Sequence, residues 1–488
     1  MLFNSFGYLI FLPVVVALFW ACPLKFRPAL LLVASYVFYM TWKPIYGLLI
    51  LGLTVMNFAF GYFINKSTKR RKLLLTFGVA ANLLVLAYYK YAYFAVEVAN
   101  DVLKPFGKSL PDLAVQILLP LGISFFVFEF IHYIADVYKG SQPVKSFVNF
   151  ALFASFFPTQ IAGPIKRYQD FIPQLSIAGR FNWANLDESI NLIVFGLFKK
   201  VIFADNLSAV VQSAFQTPQL LSSIDMWMAV YAFAFQIYFD FSGYTDIARG
   251  SAQLFGYKVP LNFNLPYLAA SIADFWHRWH ISLSTWLRDY LFIPLGGSRC
   301  SKIFNYRNLF ITMVLGGLWH GAAMHFVVWG AYQGIMLIAH KEIQVLMKNF
   351  AWWQQLVKTK AFHVFSIILT FHVVCIGWVF FRADNMNIAT EVIRRLFFMS
   401  EYPAGVNAFS LSLPSVHDPV IFLLLPLVLA MLIVGQLLAG KLASLGLASP
   451  YKAPTLPRGW QAVYLTAMIC ILLVFSPDAS PKFIYFQF

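Results

Sequence analysis

Long apolar runs recur along almost the whole chain, and no other feature narrows its fold so far. Candidate membrane segments fall at roughly 6–21, 28–42, 45–64, 73–95, 113–135, 190–211, 224–241, 309–340, 361–381, 419–439 and 461–476. A helix needs about 20 residues to cross the hydrocarbon core, so these runs and the chain length point to roughly 10–13 membrane segments. The run 309–340 is too long for one span. Composition agrees: 60% of residues are apolar and 11% are charged, where a soluble domain is about half apolar and a quarter charged. The expected fold is an all-α polytopic integral membrane protein. A soluble enzyme, a secreted disulfide scaffold and a disordered tail protein are excluded.

Charge gives the orientation. Lys and Arg number 36 against 20 Asp and Glu, for a net charge of +16. The basic residues cluster at the ends of apolar runs, as the positive-inside rule expects, and nucleic acid need not be invoked. Lys25 and Arg27 follow the first run, and Lys66, Lys69, Arg70, Arg71 and Lys72 follow the third, with only Lys43 between them. Both basic loops then face the cytoplasm, the N-terminus lies outside, and the fifth run returns to Lys139 and Lys145. The first run has no preceding basic residue and no Ala-x-Ala site, so it reads as an uncleaved span. Cys22, Cys300, Cys375 and Cys470 contain no CxxC pair, which suggests neither a disulfide framework nor a zinc ribbon.

Residues 147–165 (FVNFALFASFFPTQIAGPI) have spanning length, yet basic residues flank both ends: Lys139 and Lys145 before, Lys166 and Arg167 after. Pro158 and the pair Gly163-Pro164 interrupt any helix there. The segment is expected to be re-entrant from the cytoplasmic side, with its irregular backbone packed against protein or a water-filled cavity. A kinked ordinary span is the alternative. The chain reads as a single membrane domain over 1–488. Its parts are N-terminal spans at 1–146, the re-entrant segment at 147–165, core helices at 224–345 and C-terminal spans at 361–488. The least hydrophobic blocks, 97–112, 166–190 and 400–418, read as loops.

Three clusters carry groups able to do chemistry. In SIADFWHRWHISLSTWLRDY (271–290), Ser271 and Asp274 have capping-box spacing, which predicts a helix start near Ile272. His277, His280, Ser284 and Arg288 then recur at helical spacing beside a heavy aromatic face. Composition alone slightly favours a surface-lying amphipathic helix with His and Arg towards headgroups. His277 and His280 have metal-ligand spacing, but no third ligand can be named, and no metal is expected. In LGGLWHGAAMHF (315–326), His320 stands 12 residues beyond Asn308, about 18 Å along a helix. That places it near mid-membrane, where an ionisable group is a functional hypothesis. Neutral imidazole can take a proton from a hydroxyl near pH 7; a hydrogen-bonded core histidine is the other reading. His325 falls on a different face. In YFDFSGYTD (238–246), Asp240 and Asp246 either orient a histidine or simply cap the next helix, and spacing alone favours the cap.

YFDFSGYTDIA (238–248), FWHRWHISLSTWLRDYLFIPLGG (275–297) and the NLF-x4-LGGLWHGA stretch (308–322) together resemble the membrane-bound O-acyltransferase superfamily. The likeness is strongest to the branch that acetylates alginate and other exopolysaccharides. LLVASYVFY (31–39), LLPLGISFFVFE (118–129), IAGPI (161–165) and the terminal FIYFQF (483–488) extend it over nearly the whole chain. Position 277 is His where the alginate branch would have Arg. The resemblance implies a helical bundle with re-entrant and horizontal helices around a transmembrane tunnel, in a bacterial inner membrane. His320 matches the family histidine and His280 the second polar residue on the preceding horizontal helix; Trp319, Asp240, Asp246, Ser284 and Arg288 are supporting candidates. It further implies a cytoplasmic thioester donor, acetyl-CoA, with no permanently bound cofactor. The acceptor would be a hydroxyl of a periplasmic partner protein or of an exopolysaccharide such as alginate or cellulose. Partners would be membrane lipids, periplasmic acetyltransferase or acceptor proteins and the exopolysaccharide machinery. A translocator without chemistry of its own, a D-alanyl transferase acting on a cell-wall polymer and an anchoring scaffold are the competing readings.

Overall fold

The computed structural model describes residues 1, 3–111, 117–177, 181–398, 419–445, 458–476 and 483. The loop expected at 400–418, the start of the 113–135 run and residues 484–488 lie outside the described residues. Among those described, every regular element is a helix. Four stretches among the described residues are long and apolar enough to cross a membrane: Ile45–Lys66, Arg71–Phe106, Lys360–Arg382 and Pro426–Ser444. The chain divides into two compact units, Met1–Ile193 with Tyr244–Pro260, and Val194–Gly243 with Leu261–Phe488.

The first unit opens with α1 (Phe6–Ala21), α2 (Arg27–Met40) and α3 (Ile45–Lys66). Next, α4 (Arg71–Leu86) continues through Ala87–Tyr91 into α5 (Ala92–Leu103), so the run expected at 73–95 extends further. The run expected at 113–135 begins later, as α6 (Ile123–Tyr138). Pro120 cannot donate to a helix, and Gly122 takes a left-handed φ of 71° immediately before the first turn.

α7 (Phe147–Ser155) has nine residues, about 13 Å and too short to cross. Ser146 caps it by accepting from the Asn149 amide at 3.3 Å. The chain from Phe156 to Ile165 is then irregular and buried, as expected of non-helical backbone held against protein. The Phe157 amide finds its acceptor in Ser35 Oγ at 3.1 Å. Beyond it, Lys166 Nζ donates to Glu129 on α6 at 2.8 and 3.1 Å. Two short helices, α8 (Tyr168–Phe171) and α9 (Gln174–Ile177), follow.

α10 (Trp183–Phe198) and α12 (Ser223–Leu254) contribute residues to both units, with α11 (Asn206–Gln216) between them. In the second unit come α13 (Ile272–Arg278), α14 (Ile281–Leu287), α15 (Lys302–His320) and α16 (Met324–Met347). α17 (Ala351–Leu356), α18 (Lys360–Arg382), α19 (Met386–Phe397), α20 (Pro419–Ser444) and α21 (Arg458–Phe475) complete it.

The overlong 309–340 run is a helical hairpin, α15 and α16, that turns at Gly321–Ala323. A Cβ on Gly317 would strike the Phe326 carbonyl, and one on Gly330 the Met313 carbonyl. The two contacts are mirror images about the turn, so the helices run antiparallel with backbones nearly touching, an approach that only glycine permits. At the open end, Lys302 meets Glu342 at 2.6 Å and Lys341 donates to Asn305 at 2.6 Å. Basic residues therefore gather at the base of the hairpin, and His320 occupies its tip.

Candidate active site

His320 is the last helical residue of α15, followed by Gly321 in extended conformation with φ −156°. Its side chain is buried and three aromatic rings pack around it edge to face. Their centroids lie 5.0 Å away for Trp319, 5.1 Å for Trp329 and 5.1 Å for Phe381. Two of these rings come from the hairpin itself and the third from the end of α18.

The second histidine is placed by a break in the chain. Ser271 and Asp274 start α13 as expected, with Ser271 Oγ accepting from the Asp274 amide at 3.1 Å. The single helix expected through 290 does not form. His280 takes φ 42° and ψ 54°, a left-handed conformation that costs energy for a residue with a Cβ. α14 starts afresh from it. The stripe His277, His280, Ser284 and Arg288 is therefore not one helical face: His277 is exposed, while His280 is fully buried.

Asn262 supports this break, a residue to which the spacing arguments gave no role. Its backbone carbonyl accepts from the Ile281 amide at 3.0 Å. Its Oδ1 accepts from Ser282 twice, from the amide at 3.2 Å and from the hydroxyl at 2.6 Å. A local sequence signal would have been hard to find, because the bonds bridge about twenty residues of chain.

His280 stands against Phe241 at 4.6 Å and against Trp319 at 6.3 Å. The indole of Trp319 thus lies against both imidazoles. His280 lies outside the long apolar helices, and burial pushes its imidazole down to about 3, which keeps the ring neutral at physiological pH. Neutral imidazole has one donor and one acceptor nitrogen.

The other candidates go elsewhere. Asp240 meets Lys200 at 2.8 Å, and the same ammonium reaches Asp205 at 2.7 Å. Asp246, in the first unit, pairs with Arg249 at 3.3 Å. Ser284 Oγ donates to the Trp279 carbonyl at 3.1 Å. Arg288 is exposed and pairs with its neighbour Asp289 at 2.7 Å. His325, just beyond the hairpin turn, holds the Phe380 carbonyl through Nδ1 at 2.9 Å. The groups brought together are His280, Trp319 and His320.

Residues 143–381 match the family described as MBOAT, membrane-bound O-acyltransferase family. The probable alginate O-acetylase AlgI of Azotobacter vinelandii is 36% identical over the full length of both chains. The chain belongs to the membrane-bound O-acyltransferase family. It is accordingly a membrane-embedded O-acyltransferase, and its family match takes in His280, Trp319 and His320 together. Two more relatives of this O-acyltransferase bear on its chemistry. The probable alginate O-acetylase AlgI of Pseudomonas aeruginosa is 41% identical, covering 81% of this chain and 75% of its own. The peptidoglycan O-acetyltransferase of Helicobacter pylori is 35% identical over 78% of this chain and 74% of its own.

Proposed function

We propose that this O-acyltransferase passes an acetyl group from a cytoplasmic thioester, acetyl-CoA, to a hydroxyl on the periplasmic side of a bacterial inner membrane that it crosses several times. The acceptor is a hydroxyl of a partner protein or of an exopolysaccharide such as alginate. The observation that carries this reading is a pair of buried histidines that both lie against Trp319, His320 at the tip of a helical hairpin and His280 at the break between α13 and α14. The names of its relatives, alginate O-acetylase and peptidoglycan O-acetyltransferase, support an acetyl group and a polysaccharide product.

In this reading His320 is the general base. The acceptor hydroxyl gives its proton to the imidazole as its oxygen attacks the thioester carbonyl carbon, and the departing thiolate recovers that proton. His280, neutral and rigidly held, positions the thioester. A placed general base contributes about 10²–10⁴-fold in rate.

The test is acetyl transfer by purified protein in nanodiscs supplied with labelled acetyl-CoA and a periplasmic acceptor, following CoA release and labelled product. Wild type should turn over, His320→Ala should lose turnover while still binding CoA, and His280→Ala should be strongly impaired. Full turnover by His320→Ala would sink the mechanism. A wild type that moves label without releasing CoA would point to a translocator.

A further inference from the structure

Two partly buried tryptophan N–H groups of this protein have carbonyl acceptors. Trp20 donates to the Leu254 carbonyl at 3.0 Å, and Trp227 to the Leu396 carbonyl at 3.1 Å. Around His320 the pattern changes. Trp329 is only 1% exposed, and its Nε1 is buried without an acceptor among the described residues; the buried Nε1 of Trp276 also lacks one. Trp329 packs edge-on against His320, and Trp276 packs on Trp329 at 5.9 Å and 68°. One donor without an acceptor among the described residues therefore belongs to a ring that lines the candidate base, and a second to the ring packed behind it.

A buried donor left without a partner lowers stability and needs a reason. Indole N–H is a donor only, with no lone pair to offer and no proton lost near neutral pH. It cannot serve as base, nucleophile or metal ligand. What it fits is a ligand atom that only accepts, and a thioester carbonyl oxygen is such an atom. During acyl transfer that oxygen gains a full negative charge, so a fixed donor there favours the transition state over the ground state. Such a donor must be buried and already in place, which an indole locked among aromatic rings satisfies.

We propose that the indole N–H of Trp329, assisted by that of Trp276, binds the acyl carbonyl oxygen and stabilises the oxyanion formed on it. This rests on the acyltransferase reading above. As the acceptor oxygen bonds to the carbonyl carbon, the π pair moves onto the carbonyl oxygen, where the indole donors meet it, and the hydroxyl proton passes to His320. Collapse restores the carbonyl and breaks the C–S bond, and the thiolate takes the proton back from the imidazolium. The products are an ester and a thiol, and nothing is oxidised.

The decisive variant is Trp329→Phe, which keeps an aromatic ring and deletes the N–H. Loss of one oxyanion donor costs about 10²–10³ in kcat elsewhere, and a fall of about 10² in kcat with KM nearly unchanged is expected here. Thermal stability in detergent should hold or rise, because an unpaired buried donor has been removed. A role in packing alone predicts the reverse, lower stability with kcat kept or with KM rising to match, and that result would overturn the proposal. Trp276→Phe should lose less, about tenfold, and serves as the test if Trp329→Phe does not fold; unchanged kcat in a folded Trp276→Phe would then overturn it. Inactive wild type or active His320→Ala defeats the acyltransferase reading, whereas active wild type, inactive His320→Ala and fully active Trp329→Phe defeat only the indole assignment.

Discussion

Each unit buries a polar cluster under aromatic rings, and the two are solved in opposite ways. In the first unit Lys166 and Glu129 form a closed ion pair with two N–O contacts, and Phe153 and Phe171 lie 5.0 and 5.7 Å from the ammonium. Charge is answered by charge, and the pair anchors the end of the irregular 156–165 segment to α6. In the second unit the tip of the α15–α16 hairpin holds imidazoles and indoles. There His320 is ringed by Trp319, Trp329 and Phe381, and the Trp329 N–H lacks an acceptor among the described residues. A buried pair that completes itself reads as structure, whereas a buried cluster with a donor to spare reads as a place for a substrate.

The largest effect should come from breaking the closed pair. Glu129→Gln leaves a buried ammonium without its counter-charge, which costs about 3–5 kcal/mol. Replacing both partners, Glu129→Gln with Lys166→Met, should recover most of that loss, because desolvation is relieved along with attraction. Denaturant or thermal unfolding in detergent checks both. A double variant as unstable as the single would show that the pair does more than neutralise itself.

A smaller effect follows from the neutral site. His280 is pushed down to about 3 by burial, below the ordinary 6.5 of a histidine in the unfolded chain. Between those values the unfolded state binds a proton that the folded state does not, so stability falls as pH falls below about 6.5. From pH 6.5 to pH 5 the loss is about 2 kcal/mol. His280→Asn should shrink that acid sensitivity, and asparagine also tolerates the left-handed backbone at this position. An unchanged pH dependence would mean that His280 is not the group responsible.

The smallest effect concerns support of the site. Asn262→Ala removes the side-chain acceptor for the Ser282 amide and hydroxyl, loosening the kink that aims His280. A loss of about tenfold in kcat, equivalent to about 1.4 kcal/mol, is expected with little change in KM. Asn262→Asp keeps the acceptor and should restore most of the rate. Equal losses in both variants would argue against a positioning role.

Much of this was legible in the sequence. Hydropathy placed α1, α2, α3 and α18 within a few residues, because a span must be apolar along its whole length. Flanking charge and Pro158 singled out 147–165, whose irregular half is indeed buried. The WHG tripeptide and His280, one of two histidines in 275–297, pointed to the two imidazoles that lie against Trp319. What stayed hidden depended on tertiary contacts. A left-handed turn at a histidine has no composition signal, so one helix was expected where α13 and α14 meet at His280. The hairpin turn at Gly321 was masked by apolar residues on both sides. Asn262 works across a long loop, and nothing in the spacing singles out Trp329, whose N–H has no acceptor among the described residues.

The central claim is that chemistry belongs to the hairpin tip and that the closed ion pair only holds structure. Specific activity per folded molecule, measured side by side for His320→Ala and for the Glu129→Gln, Lys166→Met double variant, tests it directly. The account predicts a folded but inactive His320→Ala, and a double variant with near wild-type turnover once its folded fraction is counted. An active His320→Ala, or a folded double variant without turnover, would contradict it.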